Sequence, residues 1–159
     1  MRQSILFFDI DGTLLSDKTG KIPDSALEAL AEAKKNGHLL FINTGRTVCA
    51  LPKELYQFEF DGYLCGCGSY LLFHDEVLLE SHIEEACGQK YIEQMRECGL
   101  DGVLEGTEDL YFPKKVSRFE KLEQGRHYFG QLGLGKKKHI EEGGFLYDKI
   151  FVYADEQSE

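Results

Sequence analysis

Apolar residues fall along this chain in short runs broken by polar turns, and in the first third two periodicities alternate. Ile5-Leu6-Phe7-Phe8 is a continuous apolar run, the pattern of a strand buried on both faces. It stops at Asp9-Ile10-Asp11-Gly12-Thr13, which reads as a turn. Asp24 or Ser25 is placed to cap a helix whose apolar face takes Ala26, Leu27, Leu30, Ala31 and Ala33, with Asn36-Gly37 as its end. His38 to Ile42 is a second buried strand, followed by Asn43-Thr44-Gly45-Arg46. A second helix is expected over Val48 to Tyr56 with Pro52 in its first turn, then a third strand over Gly62 to Cys65. Strand, helix, strand, helix, strand is the order of a parallel sheet with right-handed crossovers.

The pattern changes after residue 66. Tyr70 to Phe73 and Val77 to Glu80, around His74-Asp75-Glu76, read as a β-hairpin. A helix is expected from Glu84 to about Cys98, with Ile92 and Met95 on its apolar side. Leu110-Tyr111-Phe112 and Phe145 to Tyr153 read as strands around a helical piece from Phe119 to Phe129. This later part has the grammar of a separate α+β lobe.

Composition narrows the classes. The chain has 159 residues, 42% hydrophobic, enough for one domain or a small core with an insertion. Its 18 Lys and Arg against 28 Asp and Glu leave a net charge of −10, which disfavours nucleic acid and anionic membranes as partners. Charge is uneven, however: Lys114 to Lys138 holds eight basic residues and two acidic ones, and Glu84 to Pro113 the reverse. That asymmetry suits either a solvated face or a lobe that presents positive charge to an anionic substrate. The five cysteines (Cys49, Cys65, Cys67, Cys87 and Cys98) lack zinc-site spacing and read as free thiols. With no signal-peptide pattern and no run of ~20 apolar residues, a soluble cytoplasmic protein is expected.

Chemistry concentrates at the ends of the first two strands. Asp9 and Asp11, two apart after a buried strand, project to the same side of the backbone at the carboxyl edge of the sheet, where open α/β folds bind ligands. Two neighbouring carboxylates repel unless a cation shares them, and hard oxygen donors suit Mg²⁺. Gly12 allows the tight turn and Thr13 can hold it. Asp-x-Asp-Gly also opens calcium loops, but the twelfth position counted from Asp9 is Gly20 where a Glu is needed. Thr44 brings a hydroxyl to the same edge, and with the Gly45 amide it is placed to hold a phosphate oxygen, with Arg46 as an added charge.

Phe7 to Leu15 and Ile42 to Arg46 resemble the first and second motifs of the haloacid dehalogenase superfamily, in the wording of its Cof-type, sugar-phosphatase-like branch. Cys65-Gly66-Cys67-Gly68-Ser69-Tyr70 stands where that branch has an Asn-Gly-Ala-type turn. The resemblance implies an α/β fold: part of a Rossmannoid parallel sheet over residues 1–82 and an inserted α+β cap over 83–159, without the returning half of the core. It implies a Mg²⁺-dependent phosphatase of small phosphorylated metabolites. Asp9 would be the nucleophile, and Asp11 would protonate the leaving oxygen and then activate water. Thr44, Gly45, Arg46 and Gly12 would serve the phosphoryl group, and Mg²⁺ would sit on the Asp9 carboxylate and the Asp11 carbonyl.

The family also uses a Lys and a Gly-Asp-x-x-x-Asp motif after the cap. No such motif occurs here, and Lys149 falls in an expected cap strand. A three-strand parallel sheet with an unpaired apolar edge is expected to be poorly stable and sticky. Two other readings use the same acids. One is a fragment or remnant that binds phosphate and Mg²⁺ without turnover. The other is a response-regulator receiver, disfavoured because Asp61 stands at the wrong end of the third strand.

Overall fold

A computed structural model describes residues 2–156 and residue 158. The chain divides into two compact units, one running to Glu80 and the other starting at Ser81.

The first unit is built on a five-stranded sheet in the order β1 (Ile5–Phe8), β2 (Leu39–Asn43), β3 (Gly62–Cys65), β4 (Tyr70–Phe73) and β5 (Glu76–Glu80). The first three strands are parallel, with Phe8 opposite Ile42 and Asn43 opposite Leu64. The hairpin does not leave this sheet; β4 pairs antiparallel with β3, so the third strand has no open edge. The edges of this sheet are β1 and β5 instead.

One helix, α1 (Asp24–Lys35), crosses between β1 and β2. Asp24 sits in its first turn and Lys34 and Lys35 in its last, each complementing the helix dipole. Asp24 does not cap it: the N-cap is Pro23, without a side-chain bond. Gly37, at φ +83°, ends the helix. The apolar face of α1 closes one side of the sheet in a core of Ile10, Leu14, Ile22, Leu30, Leu40, Ile42, Leu55 and Phe60. Leu40 and Ile42 are fully buried, each worth about 1.5–3 kcal/mol relative to exposure.

Two expectations are corrected here. Val48 to Tyr56 is not one helix but two 3₁₀ turns, Val48–Ala50 and Lys53–Gln57. Pro52 forces the break, because the residue before a proline is pushed out of the helical region and Leu51 is extended (φ −64°, ψ 132°). Nor is β1 buried on both faces. Leu6 and Phe8 pack on the core, whereas Ile5 and Phe7 remain 53% and 54% exposed. They line an apolar groove of about 330 Å³ with Leu39, Phe41, Leu64, Leu71, Phe73 and Leu78. The run is apolar on both sides, but its own unit supplies a helix for only one.

The second unit has an antiparallel three-stranded sheet, β7 (Leu110–Tyr111), β6 (Asp101–Glu105) and β8 (Lys149–Tyr153) in that order, with helices α2 (Glu85–Glu97) and α3 (Glu120–Gln131). Its central strand β6 was not expected, since Asp101, Gly102 and Glu105 leave it two large apolar residues. Of Phe145 to Tyr153 only the last five residues form a strand. Phe145 instead stacks on Tyr111 at 3.6 Å, and Tyr147 is buried against Gly88, which leaves no room for a Cβ beneath the phenol. A core of Ile92, Leu104, Tyr111, Ile140 and Tyr147 holds the unit together. Asp148, its side chain 2% exposed, lies 2.6 Å from His82 Nδ1 and accepts a bond from Thr107 Oγ1, tying the entry of the chain to the start of β8. Among the described residues no helix is long and apolar enough to cross a membrane.

Candidate functional site

Parallel pairing in register brings the carboxyl ends of β1, β2 and β3 to one edge. Asp9 follows Phe8, Thr44 follows Asn43, and Gly66 follows Cys65, so three loops meet there without any further element. The first loop is a tight turn. Leu14 N–H donates to Asp9 O, Thr13 and Leu15 N–H both donate to Ile10 O, and Gly12 adopts φ +72°. Only glycine takes that conformation without strain. Asp17, which the sequence reading passed over, has its carboxylate about 3.5 Å from where a Gly12 Cβ would stand.

The second loop is anchored to the third. Thr44 N–H donates to Leu64 O at 2.9 Å, Gly66 N–H to Arg46 O at 2.7 Å, and Cys67 N–H to Thr44 O at 3.4 Å. Thr44 is buried, 4% exposed, and its Oγ1 accepts from Arg46 N–H at 3.1 Å. That bond uses a lone pair and not the hydroxyl proton, which stays a donor. Cys67, which the sequence reading placed only at the entry to the hairpin, is exposed at φ +59° with Sγ 4.0 Å from Gly45 O. Its signal is positional: it stands two residues past the third strand, on the edge where Thr44 follows the second.

Arg46 joins the first loop to the second. Its Nε donates to Asp11 Oδ2 at 2.9 Å and its Nη2 to Asp11 Oδ1 at 2.8 Å, a two-point fork, while Nη1 donates to Ala50 O at 3.1 Å. These bonds hold the Asp11 carboxyl below the usual carboxylate range, against the opposite push of partial burial. Burial alone pushes the Cys65 thiol up to about 12.

Asp9, Asp11, Gly12, Thr44, Gly45 and Arg46 thus stand on the loops of one edge, and Arg46 and Asp11 touch. Arg46 does so as the partner of a carboxylate, a different contact from the one its charge suggested. The Asp11 carboxylate is occupied by this fork, so its main-chain carbonyl and the exposed Asp9 carboxylate are the oxygens open to a cation. Two hard oxygens fit Mg²⁺, which keeps several waters and binds through one or two carboxylates. No group of three or more His, Cys, Asp or Glu among the described residues is arranged to hold a metal. In the basic stretch of the second unit, Arg118 pairs with Asp155, Arg126 with Glu123, and Lys138 with the Gly144 carbonyl.

The family model for haloacid dehalogenase-like hydrolases matches residues 6–159. The chain is 36% identical over 107 residues to the pyridoxal phosphate phosphatase YbhA of Escherichia coli (strain K12), covering 65% of this chain and 39% of that protein. It is 28% identical over 97 residues to YkrA of Bacillus subtilis (strain 168), covering 61% of this chain and 37% of that protein. Among solved structures, the subclass IIB sugar phosphatase BT4131 superposes with a TM-score of 0.70 at 26% identity, over 89% of this chain and 54% of the other. The chain therefore spans about two fifths of the curated relatives it matches and about half of that structure.

Proposed function

The chain belongs to the haloacid dehalogenase-like hydrolases, and from that premise we propose that it serves the hydrolysis of small phosphomonoesters, a sugar phosphate or a similar metabolite, through an aspartyl-phosphate. The observation that carries this reading is the convergence of Asp9, Asp11 and Thr44 on one sheet edge, with the Asp11 and Thr44 loops bound through Arg46. The substrate class follows the relatives' names, a pyridoxal phosphate phosphatase and a sugar phosphatase.

In this reading the Asp9 carboxylate oxygen attacks phosphorus as the bond to the leaving oxygen breaks, and Asp11, having taken up a proton from solvent, gives it to that oxygen to release the alcohol. Water then attacks the phosphorus of the aspartyl-phosphate, gives its proton to Asp11 and frees Asp9 and inorganic phosphate. Thr44's hydroxyl and the Gly45 and Gly12 main chain orient the phosphoryl oxygens, since transfer depends mainly on positioning. Mg²⁺, held by the Asp9 carboxylate and the Asp11 carbonyl, would neutralise charge on the phosphoryl group.

The division of labour is proposed on the same basis. Residues 1–82 form the front part of the core, and residues 83–159 form a cap that selects the leaving group.

Phosphate release from a panel of sugar phosphates and pyridoxal phosphate, with Mg²⁺ and with EDTA, tests the reading. Turnover that needs Mg²⁺ and disappears in Asp9→Asn is the expected result. Turnover that survives Asp9→Asn would refute the nucleophile. A chain that binds Mg²⁺ and phosphate without turnover would put the binding remnant in its place.

A further inference from the structure

We propose that Arg46 is a positioning residue for Asp11 and not a ligand of the transferring phosphoryl group. The inference rests on the phosphatase reading above and assigns Arg46 a different task within it.

Arg46 is anchored at both ends. Its main-chain N–H donates to Thr44 Oγ1 and its carbonyl accepts from Gly66 N–H, which fixes its Cα at the junction of the second and third loops. The guanidinium is tethered at Nη1 to the Ala50 carbonyl at 3.1 Å, at the end of the first 3₁₀ turn. Its Nε and Nη2 edge meets both oxygens of Asp11 at 2.9 and 2.8 Å. To reach a phosphoryl oxygen with that edge, Arg46 would have to release the carboxylate. The reaction needs that carboxylate in place, and it already matches the positive charge of Arg46.

Asp11 is the group that needs the help. Its side chain is 56% exposed, against 26% for Arg46, so packing alone does not select its rotamer. It stands in a turn whose next residue is a glycine at positive φ. A proton donor to the leaving oxygen must sit within about 2.6–3.2 Å of it in the reacting geometry. A planar two-point fork defines both the position and the plane of the carboxylate, which a single contact does not. Lysine at 46 has one point charge and no fork, and methionine has neither.

The test uses the full chain, Arg46→Met and Arg46→Lys, with two esters in the presence of Mg²⁺. One is an alkyl phosphate, whose leaving oxygen needs a proton. The other is p-nitrophenyl phosphate, whose leaving group departs without one. The expected result is a kcat/KM loss in Arg46→Met at least about tenfold larger for the alkyl ester than for the aryl ester, because kcat/KM reports only the steps up to departure of the leaving group, where only the alkyl ester spends the general-acid contribution of about 10²–10⁴. KM should change little for either, and Arg46→Lys should not restore the alkyl rate. A KM that rises together for both esters, or weaker binding of inorganic phosphate in titration calorimetry, would make Arg46 a phosphate ligand and overturn the proposal. Equal kcat/KM losses on the two esters would also overturn it.

A second measurement does not need turnover. In a thermal-melting cycle of wild type, Asp11→Ala, Arg46→Met and the double variant, the double variant should lose less than the sum of the two single losses. Additive losses would show that the fork does not form in solution and overturn the proposal whatever the assay gives. Absence of turnover in the wild type bears on the phosphatase reading, and the cycle still decides whether Arg46 acts on Asp11.

Discussion

Asp61 stands at the wrong end of the third strand for a phosphoacceptor and holds up the middle of the sheet instead. β2 lies between two parallel neighbours, and its amides point to them alternately. Leu39 N–H donates to Ser4 O on the β1 side, and Leu40 N–H points the other way. β3 begins only at Gly62, opposite Phe41, so no strand carbonyl faces Leu40 N–H. Asp61 fills that place: its Oδ2 accepts from Leu40 N–H at 2.8 Å, and its own N–H donates to Leu40 O at 2.8 Å. Its Oδ1 lies 3.5 Å from Lys34 Nζ on α1.

Asp61→Ala removes the acceptor for an amide on a residue with no solvent exposure. An unsatisfied buried donor costs about 1–3 kcal/mol, and the lost Lys34 contact, on a partly exposed partner, adds ~0–1 kcal/mol. The expected total is about 1–4 kcal/mol, with its midpoint at about 2.5 kcal/mol. With about 4–8 °C per kcal/mol for a unit of 60–100 residues, the melting temperature of the first unit should fall by roughly 10 °C or more. Asp61→Asn keeps a carbonyl acceptor and loses only the charge, so it should cost about 0.5–1 kcal/mol. Urea unfolding followed by circular dichroism gives the totals, and amide exchange at Leu40 gives the local effect. If Asp61→Ala costs less than about 0.5 kcal/mol, or Asp61→Asn costs as much as Asp61→Ala, the acceptor argument fails.

Three further outcomes follow from the shifted groups. The folded Asp11 carboxyl lies below its ordinary value of 3.8, so its ion pair is at full strength above pH 4 and is lost as pH falls through the folded value. The stability gap between wild type and Arg46→Met, measured in EDTA, should therefore close on acidification below about pH 4; a gap unchanged at pH 2 would contradict the fork. Cys65, buried and raised to about 12, should resist iodoacetamide at pH 8.5 while the exposed Cys67 and Cys87 are labelled, as read by peptide mass mapping. Because an unfolded thiol ionises near 9.0 and the folded one does not, stability should also decline as pH rises above 9. Labelling of native Cys65 at the rate of Cys67 would count against its burial.

Local chemistry made much of the molecule legible before any coordinates. The run Ile5 to Phe8 ending in Asp9, and Leu39 to Ile42 ending in Asn43 and Thr44, are strands with polar residues at one end because apolar β-formers and turn residues act on their nearest neighbours. Parallel pairing then places both ends on one edge, so the gathering of Asp9, Asp11 and Thr44 could be read from element order alone. Where the reading failed, the deciding contacts were distant in sequence. β6 is the central strand of its sheet although Asp101 to Glu105 is poorly apolar, because β7 and β8 satisfy its backbone from both sides. Ile5 and Phe7 are as apolar as Leu6 and Phe8, yet only the latter pair meets α1.

The fork between Arg46 and Asp11 joins residues 35 positions apart. No periodicity records it, since a charged side chain in a loop is compatible with solvent, a phosphate or a carboxylate until the fold brings one of them within about 3 Å. Hydrophobic spacing and turn residues therefore determined which segments are strands and where the acids stand. Only the tertiary structure decided which face each strand buries and which charge answers which, because those energies depend on what packing brings within contact distance.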